Sequence, residues 1–154
     1  MQPTIFLKTL KLIHISLVVG LALFAGLAYF QIGGFTIASA DSNIMLYVVP
    51  TIAIVGYFGS KYIFGLQIQK IVKEAPLSQK LQQYFSASVI QYAVIEGPGF
   101  LALFGYYISG NALFLVIAIC LIVYLYTRKP TYQKLKNELQ LSYAEQKELD
   151  TLNT

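Results

Sequence analysis

The stretch LIHISLVVGLALFAGLAYFQI, residues 12–32, decides the fold. Its 21 residues include only His14, Ser16 and Gln31 as clearly polar members. A hydrocarbon core about 30 Å thick is crossed by roughly 20 apolar residues of helix. This run therefore reads as a membrane-crossing helix. Three further segments qualify or nearly so: 44–64, with Lys61 near its far end; 88–108, which holds Gln91 and Glu96; and 112–127, the shortest and most apolar. Lys8 and Lys11 before the first run, with Ala38-Ser39-Ala40 after it, have the outline of a secretory signal peptide. Signal cores are only about 7–15 residues long, so the first run is expected to be kept as a span.

Composition agrees. Of 154 residues, 56% are apolar and 12% charged, and the mean hydropathy is +0.62. Soluble domains are about one-quarter charged, and half that density cannot coat a water-facing surface. Disorder, a coiled coil and an ordinary soluble enzyme are excluded. One Cys and one His leave no disulfide framework and no zinc site.

The eleven basic residues orient the chain. Lys8 and Lys11 precede the first span. Lys61, Lys70, Lys73 and Lys80 sit at the end of the second and in the segment before the third. Arg128, Lys129, Lys134, Lys136 and Lys147 follow the fourth. The other two connections, residues 33–43 and the tight Ser109-Gly110-Asn111 turn, hold none, so the positive-inside bias puts both termini and the central segment in the cytoplasm. The net charge of +4 is explained by orientation, and no nucleic-acid partner is needed. The localisation expected is the cell inner membrane, multi-pass.

The expected fold class is all-α: an integral membrane four-helix bundle over residues 1–130, followed by a cytoplasmic amphipathic tail over 131–154. Ser78 is the expected N-cap of a helix beginning at Gln79, with Ala75-Pro76-Leu77 as a short connection. In the tail, Ser142-Tyr143-Ala144-Glu145 is a capping box, and Tyr132, Leu135 and Leu139 share a helical face. One or two short helices lying beneath the bundle or at the membrane surface follow. Tyr29, Tyr47, Tyr106 and Tyr107 fall near the outer interface, and Tyr62, Tyr84, Tyr124 and Tyr126 near the inner one, as aromatic belts do.

A faint repeat runs through the chain. Shifting the first span by 77 residues pairs Gly20 with Gly97, Ala25 with Ala102, Tyr29 with Tyr106 and Gly33 with Gly110. Shifting the second by 68 pairs Asn43 with Asn111 and Lys61 with Lys129. Two arrangements stay open: duplicated helical hairpins in parallel repeat, or an undivided bundle. Small residues four apart (Ser16 and Gly20, Ala22 and Gly26, Gly56 and Ser60, Ala93 and Gly97) mark close helix contacts. They serve either the bundle itself or a homo-oligomer.

Glu96 is the one acid inside a span. It lies 12 residues from Ile108, about 18 Å at helical rise and thus near mid-bilayer. A charge there costs roughly 2.5–3.5 kcal/mol on the most lenient scale, and no Lys or Arg sits at that depth. The carboxyl is expected to keep its proton. Gly97-Pro98-Gly99 is expected to break the helix, because Pro98 cannot donate to the Val94 carbonyl, leaving backbone oxygens beside the acid. Tyr92 lies one turn away, Tyr57 at matching depth on the second span, and Gln91 and His14 nearer the cytoplasm. Together they outline a proton or cation site: Glu96, Tyr92, Tyr57, Gln91 and His14. The plainer reading makes Glu96 a hydrogen bond between helices and Pro98 a kink.

The stretch from Glu96-Gly97-Pro98-Gly99-Phe100-Leu101 through Ser109-Gly110-Asn111, the fourth span and Arg128-Lys129-Pro130-Thr131 resembles an uncharacterised family of small four-helix bacterial membrane proteins. A duplicated hairpin with one mid-membrane Glu is also similar to the V-type rotary ATPase proteolipid, subunit c. That resemblance implies a carboxylate binding a proton or sodium ion, with one hairpin lacking it, as Val19 would here. It departs in placing Glu96 on the first helix of its hairpin and in carrying a long basic tail. No nucleophile–base pair, metal-ligand set or phosphate-binding glycine loop is present. The expectation is a non-enzymatic protein without cofactor or metal. It would be an accessory or assembly subunit of a membrane complex or homo-oligomer in the lipid bilayer, with proton or cation handling through Glu96 as the alternative.

Overall fold

A computed structural model describes residues 3–34, 44–72, 74–139 and 141–151. Those residues form an all-α fold of six helices: α1 (Pro3–Ile32), α2 (Met45–Gln69), α3 (Leu77–Ser109), α4 (Ala112–Thr127), α5 (Tyr132–Leu139) and α6 (Tyr143–Thr151). α1, α2 and α3 are each long and apolar enough to cross a membrane. α4 passes only together with α5, and the two are bent by 78°. At about 1.5 Å per residue, the 33 residues of α3 run to about 50 Å, whereas the 16 residues of α4 reach only about 24 Å. The long helices therefore overhang α4 at one end, and the tail turns into the space left beneath it.

The connection before α3 differs from the sequence expectation. Ser78 is not a cap: α3 begins at Leu77, and Pro76 takes the N-cap position in an extended conformation with no side-chain bond. Proline's fixed φ suits a helix entry, so the helix starts two residues early. The other turn is as expected. Gly110 closes α3 with φ +66°, a conformation that favours glycine. The Asn111 side chain then accepts from the Leu113 N–H at 2.9 Å to start α4.

α3 is the centre of the packing and touches α1, α2 and α4. His14 lies on Tyr92, Phe24 beside Phe100, and Leu21 against Gly99. α1 and α3 thus run parallel, and their contacts follow the 77-residue shift of the sequence repeat to within one residue. The starts of α1 and α3, the ends of α2 and α4, and the tail all gather at one end. That end carries the described basic residues.

The tail is fastened there. Leu135, Leu139, Leu141 and Leu149 are buried in one apolar cluster with Phe6, Leu10, Leu77 and Leu81. The expected capping box forms: Glu145 Oε2 accepts from the Ser142 N–H at 2.8 Å, and Ser142 Oγ accepts from the Glu145 N–H at 3.4 Å. The other oxygen of Glu145 accepts from Lys80 Nζ at 2.6 Å, with Lys80 only 4% exposed. Tyr84 donates to Glu138 at 2.6 Å. Tyr84 is therefore core, and so is Tyr106, whose hydroxyl donates to the Gly34 carbonyl. Of the tyrosines expected at the interfaces, Tyr29, Tyr47, Tyr62, Tyr107 and Tyr126 are exposed.

Burial works to raise the Glu145 carboxyl, but the hydrogen bonds from Lys80 and Ser142 and the Lys80 charge outweigh it and hold it below its ordinary value. A depressed carboxylate adds stability above its unfolded value and loses it as pH falls through the folded one. Hydrogen exchange should show α6 amides protected near neutrality and released below the ordinary carboxylate range. Lys80→Met should flatten that dependence.

Candidate functional site

Glu96 occupies the edge of α3 that faces α1. Residues one turn apart share a helix face, and Tyr92 and Phe100 bracket Glu96 on that face. Tyr92 meets the His14 ring edge-on at 5.1 Å, and Phe100 meets Phe24 at 5.9 Å. The carboxyl thus lies in the seam between two aromatic contacts of α1 with α3. It is half-buried. Among the described residues, no hydrogen bond or ion pair reaches it.

Gly97, Pro98 and Gly99 do not break the helix. α3 is continuous from Leu77 to Ser109 with Pro98 inside it. The lost donor is tolerated because α2 closes over the gap. A Cβ built on Gly56 would come within 2.6 Å of Pro98 Cγ and 3.1 Å of the Val94 carbonyl oxygen. Gly56 is thus a socket for the proline ring, and the carbonyl freed by Pro98 points at α2, away from the α1 seam. The unwound turn expected beside the acid is not formed. Gly99 has its own partner, since a Cβ there would meet Leu21 at 3.3 Å. Gly97 is exposed with open space around it.

His14 and Tyr92 come together, but their polar atoms turn to α4. His14 is buried, and its Nε2 lies 2.8 Å from the Leu125 carbonyl oxygen. A carbonyl only accepts, so Nε2 carries the hydrogen. Tyr92 donates to the Arg128 carbonyl across a long 3.3 Å, and Lys134 Nζ donates to the Thr127 carbonyl at 2.8 Å. Side chains from α1, α3 and α5 therefore gather on the carbonyls at the end of α4, where the Leu125 carbonyl also accepts from the Arg128 N–H at 2.9 Å. His14, grouped with Glu96 as a site candidate in the sequence, here bonds the end of α4. Replacing His14 by leucine should cost about 0.5–1.5 kcal/mol, seen as faster hydrogen exchange in the last turn of α4.

Gln91 is buried beneath α2, its amide reaching the Ser60 carbonyl at 3.5 Å. Tyr57 does not join Glu96. Its hydroxyl accepts from Lys61 Nζ at 2.7 Å, and its ring lies 4.4 Å from that of Tyr124 on α4. Depth along the helix was readable by counting; direction around it was not.

Small residues divide by face. Gly56 and Ser60 are buried against α3, so that pair serves the internal packing. Ser16 and Gly20 on α1, and Ala93 and Gly97 on α3, are exposed on the outside, as is Ala22, with Gly26 half-buried. No group of three or more metal-ligating side chains occurs among the described residues.

Comparison with protein-family models, with curated proteins and with solved structures finds no match.

Proposed function

We propose that the chain is a four-span inner-membrane protein with both ends cytoplasmic, acting as an assembly subunit whose Glu96 meets a second chain within the bilayer. The observation that carries this is a half-buried carboxyl with no partner among the described residues of its own chain. A lone acid facing lipid is costly, and such residues face protein or a polar cavity. Ala93 and Gly97 beside it, and Ser16 and Gly20 on α1, are bare of cover and small enough for close backbone approach. The second chain is a further copy or another subunit, and a protonated Glu96 donates to it.

Crosslinking tests this. With Cys120 changed to serine, Ala93→Cys or Gly97→Cys carrying a photoactivatable maleimide should join a second chain in membranes. Val123→Cys, exposed on α4, should not. A face that crosslinks to nothing but lipid would sink the proposal.

The alternative is cation or proton handling through the same carboxyl, as the proteolipid resemblance implies. What favours it is that Glu96 stays reachable from outside the chain. It predicts that hydrophobic carbodiimide modifies Glu96 in a pH- or sodium-dependent way. Glu96→Gln would then keep assembly and abolish flux in proteoliposomes.

A further inference from the structure

A groove of about 420 Å³ runs between α2 and α4, away from the Glu96 seam. Pro50, Ile54 and Phe58 line one side of it, and Leu113, Val116 and Cys120 the other. From Leu113 to Tyr124 it follows α4 for eleven residues, about 16 Å at helical rise. That is close to one leaflet, half of a hydrocarbon core about 30 Å thick. The walls are apolar throughout this length.

The end of the groove differs in kind. Tyr57 and Tyr124 close it with rings 4.4 Å apart, tilted by 53°. Two cations flank Tyr124: Lys61 Nζ lies 5.7 Å and the Arg128 guanidinium carbon 4.9 Å from its centroid. Among the described residues, no carboxylate pairs with either cation. Lys61 spends one donor on the Tyr57 hydroxyl, which leaves two of its three free. An apolar slot one leaflet long that ends in two tyrosines and two unneutralised cations has the polarity of an anionic amphiphile.

We infer that this groove is a binding site for one anionic phospholipid, an acyl chain lying along α2 and α4 and the phosphate resting between Lys61 and Arg128. Zwitterionic lipids share the chain but carry an ammonium group that these cations repel. Juxtamembrane cations favour anionic lipid by about 1 kcal/mol each, so a preference of about fivefold per cation is expected. The inference rests on the membrane-spanning reading above, but not on any role of Glu96.

The chain has no tryptophan, which makes a clean test available. Phe58→Trp, at an exposed aromatic on the groove wall, would be reconstituted in phosphatidylcholine vesicles. Quenching by brominated phosphatidylglycerol is then compared with quenching by brominated phosphatidylcholine. Ile90→Trp, exposed on α3 outside the groove, is the control. Phe58→Trp should be quenched at several-fold lower mole fraction by the brominated anionic lipid. Lys61→Gln should lower the preference about fivefold, Lys61→Gln with Arg128→Gln should remove it, and Ile90→Trp should show none. Equal quenching by the two lipids at Phe58→Trp would overturn the site, as would the same preference at Ile90→Trp or its survival without Lys61 and Arg128. Absence of quenching at both tryptophans would instead overturn the membrane reading itself, and the lipid site with it.

Discussion

Gly56→Ala is expected to force α2 away from α3. The added methyl would sit 2.6 Å from Pro98 Cγ, a ring atom with no rotamer to retreat into, and 3.1 Å from the Val94 carbonyl oxygen. Both obstacles are rigid, so the helices must separate or shear. Overpacking of this kind costs about 1–3 kcal/mol and occasionally more, and Gly56→Val should exceed Gly56→Ala. The clash is specific to one partner. Pro98→Ala removes the offending ring atoms and restores a donor to the Val94 carbonyl. The double variant Gly56→Ala/Pro98→Ala should therefore be more stable than Gly56→Ala alone, with a coupling of about 0.5–3 kcal/mol. Thermal unfolding in one detergent, across the four members of the cycle, measures it. Additive effects would mean that Gly56 is not the socket for Pro98.

Glu145→Ala is expected to release the tail. The residue loses two functions at once, since one carboxylate oxygen caps α6 through Ser142 and the other neutralises Lys80. Lys80 would be left as a buried ammonium without a partner, and breaking a buried pair from one side costs about 3–5 kcal/mol. Undocking exposes the ammonium to water and avoids most of that cost, so the visible result should be a detached α6 rather than an unfolded chain. Lys80→Met predicts the contrast: it removes the buried ammonium at similar volume, and the Glu145 carboxylate left behind is 18% exposed and still bonded to the Ser142 N–H, so its cost should be the smaller of the two. Protease cleavage within residues 141–151 should be rapid for Glu145→Ala and slow for Lys80→Met. Equal protection in both variants would show that the leucines of the tail hold it without the ion pair.

The helical architecture was legible because an apolar run about 20 residues long has few other uses. The capping box at Ser142 and Glu145 and the Gly110 turn were legible for a similar reason: each is a local pattern whose partners lie within a few residues. What escaped the sequence involves partners far along the chain. Lys80 looks like one more basic residue until Glu145, 65 positions away, is folded against it. The partner of His14 was hidden because its acceptor is a backbone carbonyl, which no side-chain pattern announces. The reading of Gly97-Pro98-Gly99 as a break applied a local rule correctly, and tertiary packing overrode it through a glycine on another helix. Tyr57 was placed at the right depth and the wrong azimuth. Glu96 itself was visible at once, being a single acid in an apolar run, but its lack of a partner within the described residues became apparent only when the seam with α1 was built.

The central claim is that Glu96 bonds outside its own chain. Its most direct test is the mass of the particle in lipid nanodiscs or mild detergent, taken together with the unfolding midpoint of the dissociated chain. Wild type and Glu96→Gln should associate, since the amide can still donate. Glu96→Leu should return to the 17.2 kDa of one chain with an unfolding midpoint no lower than wild type. An unchanged assembly in Glu96→Leu, or a single chain that melts several degrees lower, would contradict the claim and make Glu96 an internal packing bond.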